Sequence, residues 1–146
     1  MDKVQQFWHS FCVESHKKGT EYKDAFQFGA SADWLADLVV EEKKTATTSS
    51  LVLYELEKES IPQAGEYYIV LNGQDEPVAV IQIKFVETVP MNEVTEDYAL
   101  AEGEGDYQFW WEAHEKFFTE LLKEYDIEFS SEMLVVCERF EKVYPK

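Results

Sequence analysis

Tyr67-Tyr68-Ile69-Val70-Leu71-Asn72-Gly73-Gln74-Asp75-Glu76-Pro77-Val78-Ala79-Val80-Ile81-Gln82-Ile83-Lys84-Phe85-Val86 decides the fold. Tyr67 to Leu71 and Val78 to Val86 are rich in β-branched and aromatic residues, while Asn72-Gly73 and its neighbours supply turn chemistry between them. Two strands joined this closely pair antiparallel. Downstream, Asn92 to Leu100 reads as a short helix leading into Ala101-Glu102-Gly103-Glu104-Gly105-Asp106. A long helix follows from about Tyr107 to Lys123, with Phe109, Trp110, Ala113, Phe117 and Leu121 as its apolar face. Met133 to Val143 closes the chain as a strand.

Upstream, Lys3 to Lys17 carries Val4, Phe7, Trp8, Phe11 and Cys12 at helical spacing, and Gly19 is a natural stop. A second helix is expected from a Ser31 cap to about Glu42, with Trp34, Leu35, Leu38 and Val39 inward. Leu51 to Lys58 reads as a short helix before the turn around Pro62 and Gly65. Helices, strands, helices and a final strand make an α+β protein with a mainly antiparallel sheet, open or curled into a barrel. No repeat, low-complexity stretch or linker marks a boundary, so residues 1–146 form one domain, with about 1–20 as an N-terminal helical extension.

The chain has 146 residues, enough to bury a core without disulfides or a structural metal. No apolar run approaches a membrane span, and MDKVQQFWHS lacks a signal core. Cys12 and Cys137 are far apart, as expected of reduced thiols in a cytoplasmic protein. The net charge is −17, and Arg139 is the only arginine. Such a field repels long duplex nucleic acid, although a short single-stranded RNA segment can still meet a local basic spot.

Two segments carry candidate chemistry. In Lys43-Lys44-Thr45-Ala46-Thr47-Thr48-Ser49, lysines precede small hydroxyl residues. A lysine suits a carbonyl, carboxylate or single phosphate, and a threonine hydroxyl becomes a nucleophile beside a base. The competing reading has the lysines close the preceding helix and the threonines pair along a strand. In Glu102-Gly103-Glu104-Gly105-Asp106, glycines separate three carboxylates. Crowded carboxylates raise one another's pKa, which suits acid–base work, while Asp106 also suits a helix cap. Hard oxygen ligands for a divalent cation are present, but no calcium-loop spacing is, so neither metal nor cofactor is expected. His9, His16 and His114 read as packing or surface residues. Trp110, Trp111, Phe117 and Phe118 read as core, with Trp111 or Phe118 free to wall a pocket.

These segments resemble the ASCH family, whose mark is G-x-K-x-x-T after a helix. Glu42-Lys43-Lys44-Thr45-Ala46-Thr47 fits it, with glutamate in place of the usual glycine. A subgroup with an E-G-E-G-D turn is similar through Glu102 to Asp106, Trp110, His114, Phe117 and Phe118, and through Val136-Cys137-Glu138-Arg139-Phe140. The resemblance spans roughly Phe26 to Tyr144 and implies a PUA-like fold: a small β-barrel flanked by helices, with a cleft between them. It implies either RNA binding or hydrolysis of acylated pyrimidine nucleosides by a Lys, Thr and Glu set. Carried over, that set is Lys44, Thr47 and Glu102, with Glu104 as the alternative carboxylate. Thr47 would attack, Lys44 would serve as base and the glutamate would protonate the leaving nitrogen. Lys43, Thr48, Glu104, Asp106 and Trp111 would complete the contacts to a small nucleoside-like ligand. In the binding alternative, Lys43 and Lys44 contact phosphate and Trp111 stacks on a base. A role as a translation-associated regulator acting through a protein partner is a third option. A small positive spot around Lys43 and Lys44 is expected at the cleft mouth.

Overall fold

The structure is a computed structural model that describes all residues, Met1–Lys146. Its elements are α1 (Lys3–Ser15), β1 (Asp24–Gln27), α2 (Ala32–Val40), β2 (Ala46–Ser50), α3 (Leu51–Glu57), β3 (Tyr67–Leu71), β4 (Pro77–Pro90), α4 (Glu96–Ala101), α5 (Tyr107–Lys123) and β5 (Leu134–Tyr144). The strands form one sheet in the order β1-β3-β4-β5-β2, with only β1 and β3 parallel. It curls into a half-barrel, open between its edge strands β1 and β2, and helices cover both faces. The fold is α+β.

The central hairpin forms as its sequence dictates, with Tyr68 opposite Ile81 and Ile69 opposite Val80. Its connection runs from Asn72 to Glu76, longer than a tight Asn-Gly turn, because the Asn72 carboxamide accepts from the Gln74 and Glu76 N–H groups. Strand alternation then assigns the two faces. Tyr67, Ile69, Leu71 and Val80 pack under Phe11 of α1, whereas Val70, Ala79, Ile81 and Ile83 pack under α2. A reciprocal cap between Asp2 and Gln5 starts α1.

Several local expectations change. β1 carries too short a pattern to stand out and is held by parallel pairing to β3. Ser31 adopts a left-handed conformation without a side-chain cap, and Asp33 instead accepts from the Gly73 N–H at 2.7 Å. Trp34 is exposed, leaving Leu35, Ala36, Leu38 and Val39 as the buried face of α2. α4 starts at the Thr95 cap rather than at Asn92, which lies in a single 3-10 turn. On α5 the buried row is Trp110, His114, Phe118 and Leu122, at strict i,i+4 spacing, and Phe109 faces solvent. Phe118 is therefore core, and both it and Phe117 border the cleft. Both cysteines are free, and no helix is long and apolar enough to cross a membrane.

Candidate active site

Lys44 leaves α2 on a sharp bend. The Lys43 and Lys44 N–H groups both donate to the Leu38 carbonyl, closing the helix, and Glu42 takes a left-handed φ of 62°. A glycine adopts this conformation without penalty, which explains why glycine suits the first position of the Lys–Thr motif. The bend turns Lys44 inward, and β2 begins two residues later. Thr45 is tied to the end of α4 through its N–H and hydroxyl, both donating to the Ala101 carbonyl at 2.8 and 3.2 Å.

Those ties bring the acidic turn against the lysine. Gly103 has φ of 75°, and a Cβ there would collide with the Lys43 carbonyl oxygen, so only glycine permits this approach. The Lys44 ammonium lies between two carboxylates, donating to Glu102 Oε1 at 3.0 Å and Glu104 Oε2 at 3.1 Å. The Lys44 and Glu102 side chains are each 1% exposed. Glu102 Oε2 accepts from the Trp110 indole N–H at 2.6 Å and the Thr48 hydroxyl at 2.7 Å. His114 Nε2 stands 3.4 Å from Glu102 Oε1, and its Nδ1 is 2.8 Å from the Trp110 carbonyl. That carbonyl only accepts, so Nδ1 carries a proton, and attraction between Nε2 and Glu102 needs a second one. The geometry favours the imidazolium form.

The two glutamates titrate in opposite directions. Burial opposes ionisation of Glu102, but the Lys44 charge and the hydrogen bonds from His114 and Trp110 outweigh it, holding the carboxyl well below its usual range. Burial pushes Glu104 above that range, and the Lys44 charge only partly offsets this. Burial also works against the charged form of His114, yet the hydrogen bond and charge of Glu102 raise its pKa. Two neighbouring carboxyls, one a fixed anion and one protonatable, are a common arrangement for acid–base work. Glu102, Glu104 and His114 also bring one metal-ligand atom each within 4.8 Å of one another. The Lys44 ammonium, however, fills the position between the two carboxylates that a cation would take.

This cluster lies at the inner end of a cleft of about 630 Å³, within the usual range for small-ligand sites. Phe26, Phe28, Tyr54, Tyr68 and Phe117 give it aromatic walls. Of the residues expected in the site, Lys44, Thr47, Thr48, Glu102 and Glu104 line it. Lys44 contacts both glutamates, but the Thr47 hydroxyl has no hydrogen bond to either lysine or carboxylate. Alternation along β2 explains this: Thr48 points to Glu102 at the edge of the sheet, while Thr47 points the opposite way, beside Glu138, where it too lines the cleft. Lys43, Asp106 and Trp111 do not line the cleft. Lys43 pairs with Glu41 at 3.0 Å, Asp106 caps α5 through the Phe109 N–H at 2.8 Å, and Trp111 packs into the core beneath α4. With Lys43 paired and Lys44 buried between carboxylates, the expected positive spot does not form.

Sequence reasoning gives Tyr98 no role and takes Trp110, His114 and Glu138 only as marks of the family resemblance or as packing residues. Tyr98 joins β2 to β5: its hydroxyl donates to the Thr47 carbonyl at 2.5 Å and accepts from the Glu138 N–H at 3.1 Å. A lone glutamate inside the apolar run Val135-Val136-Cys137-Glu138 is the one signal that pointed inward, since the whole run is buried.

Fold and cleft together define a small half-barrel domain of the PUA-like kind, with an ionic cluster between sheet and helices. A family model for the ASCH domain matches residues 24–144, and the chain belongs to that family. The crystal structure of an ASCH domain from Lactobacillus crispatus JV V101 superposes with a TM-score of 0.91 at 34% identity, covering 99% of this chain and 96% of that one. The crystal structure of a protein from Enterococcus faecalis V583 described under the family DUF984 superposes with a TM-score of 0.88 at 40% identity, covering 97% of this chain and 90% of that one. No curated protein matches the chain.

Proposed function

We propose that the cleft binds an acylated pyrimidine nucleoside and hydrolyses its amide bond. The observation that carries this reading is the Lys44 ammonium, held between Glu102 and Glu104 at 3.0 and 3.1 Å on the inner wall of an aromatic cleft. Burying such a charged group with its partners costs more solvation than pairing alone returns, so packing is a weak reason for it. Glu102, saturated by its donors, stays an anion that orients Lys44 and His114. Glu104 is the exchangeable acid. A proton passed along the Lys44–Glu104 hydrogen bond leaves a neutral amine and a carboxylic acid.

The substrate carbonyl then draws the remaining groups together, because catalytic hydrogen bonds tighten around bound substrate. The Thr47 oxygen forms a bond to the acyl carbon while the Lys44 amine takes its proton. Collapse of the tetrahedral intermediate breaks the carbon–nitrogen bond as Glu104 protonates the leaving nitrogen. Water then releases the acid from the Thr47 ester, and Thr47 recovers its proton.

Assaying cytidine and acetate release from N4-acetylcytidine and related acyl nucleosides tests this. Wild type should turn over at least one member, and Thr47→Val and Lys44→Met should each lose at least about 100-fold. A wild type inert across the panel, or a Thr47→Val enzyme as active as wild type, sinks the reading. Phosphate-led RNA binding has weaker support, because both motif lysines are paired with carboxylates and Glu57 and Glu59 also line the cleft.

A further inference from the structure

Glu138 lines the same cleft but takes no part in the chemistry above. It is 6% exposed, and its backbone N–H donates to the Tyr98 hydroxyl at 3.1 Å. Its carboxylate has no hydrogen-bond partner in the protein, although no buried polar side-chain atom is sealed away without one. The carboxyl oxygens therefore open onto the cleft. Register with β2 places the side chain beside Thr47 on one face of the sheet. A nine-tenths buried carboxyl without a partner is expensive in a structural role alone, since buried polar groups are otherwise paired.

We propose that Glu138 reads the edge of a planar heterocyclic ligand that presents an N–H donor beside a hydrogen-bond acceptor. This rests on the nucleoside reading of the cleft and names the part of the ligand that is recognised. A protonated carboxyl has one donor and one acceptor side by side, and so forms a two-bonded pair with such an edge. The N–H and ring nitrogen of a cytosine or N4-acylcytosine fit it. The aromatic walls supply faces for the ring.

The surroundings favour the protonated form. Burial comes first, and the Glu102 charge adds to it, against a smaller opposing effect of Lys44 and with a further contribution from Glu66; together they bring Glu138 to about 7. The other groups facing it are the Tyr54 phenol of α3, the Tyr68 phenol of β3 and the Thr47 hydroxyl of β2. Affinity should thus be constant below about pH 7 and fall about tenfold per pH unit above it.

Calorimetric titration of wild type, Glu138→Gln and Glu138→Leu with cytidine and N4,N4-dimethylcytidine, at about pH 6, 7 and 8, tests the proposal. Wild type should bind cytidine with the stated pH loss, and bind the dimethylated base, which lacks the N–H, at least about tenfold more weakly. Glu138→Gln keeps the donor and acceptor without titrating, so its affinity should stay within a few fold of wild type at pH 6 and be flat with pH. Glu138→Leu should lose at least about tenfold at pH 6. Flat wild-type affinity, equal binding of the two bases, or a Glu138→Leu variant that binds like wild type overturns the proposal. If such results accompany intact turnover of acyl nucleosides, the hydrolase reading stands without it; if wild type binds nothing, both fall.

Denaturant unfolding gives a readout that needs no ligand and relies on the isosteric variant. A carboxyl raised from 4.5 to about 7 on folding destabilises the native state progressively as pH rises through that window. Glu138→Gln should therefore be more stable than wild type at about pH 8, with the gap closing toward pH 4.5. A pH-independent gap overturns the assignment.

Discussion

Glu42 holds a left-handed backbone at φ 62° immediately before the two motif lysines. A side chain with a Cβ is strained there by roughly 1–2 kcal/mol, and glycine is not. Glu42→Gly should accordingly raise stability by about 0.5–1 kcal/mol in denaturant melts, after the added freedom of the unfolded chain is subtracted. The site residues differ in how legible they are in the sequence. Lys44, Thr47, Thr48, Glu102 and Glu104 stood out because each belongs to a short run of unusual composition. His114 and Trp110 did not, because an aromatic and a histidine one turn apart on a helix look like packing. Only the folded chain shows both directed at one carboxylate, twelve and eight residues from Glu102 in sequence.

The acidic turn is the element on which the cluster depends. It runs from the end of α4 to the Asp106 cap of α5, and Gly103 lies against the Lys43 backbone. Gly103→Ala should force the turn away from the Lys43–Lys44 backbone, costing roughly 2 kcal/mol or more in thermal unfolding. If the cluster works as proposed, the same change should reduce turnover more than it reduces folded protein at assay temperature. The helices and the central hairpin were readable because their periodicities extend over many residues. β1 was not, since four residues that pair in parallel with a distant strand leave no local pattern. Helical spacing alone puts the apolar face of α5 one residue out of phase in places. Adjacent aromatics at positions 110–111 and 117–118 make neighbouring phases look alike, and tertiary packing chose between them.

At the scale of the molecule, the sheet separates two regions. Phe11 of α1, 1% exposed, fills the outer face over Tyr67, Ile69 and Val80. Phe11→Ala should cost about 3–5 kcal/mol, measured by chemical denaturation. The N-terminal helix is thus part of the packed structure, although it precedes the region matched by the family model. The charge of −17 leaves few free cations, and the pairing of Lys43 and Lys44 removes two that the sequence left available.

Because α1 and the cleft lie on opposite sides of one sheet, robustness and chemistry have separate addresses. Phe11→Ala combined with Thr47→Val should shift unfolding free energy by the sum of the single changes, within about 0.5 kcal/mol. An engineer who wishes to toughen this scaffold can work on the outer helix and leave the reacting groups in their native setting.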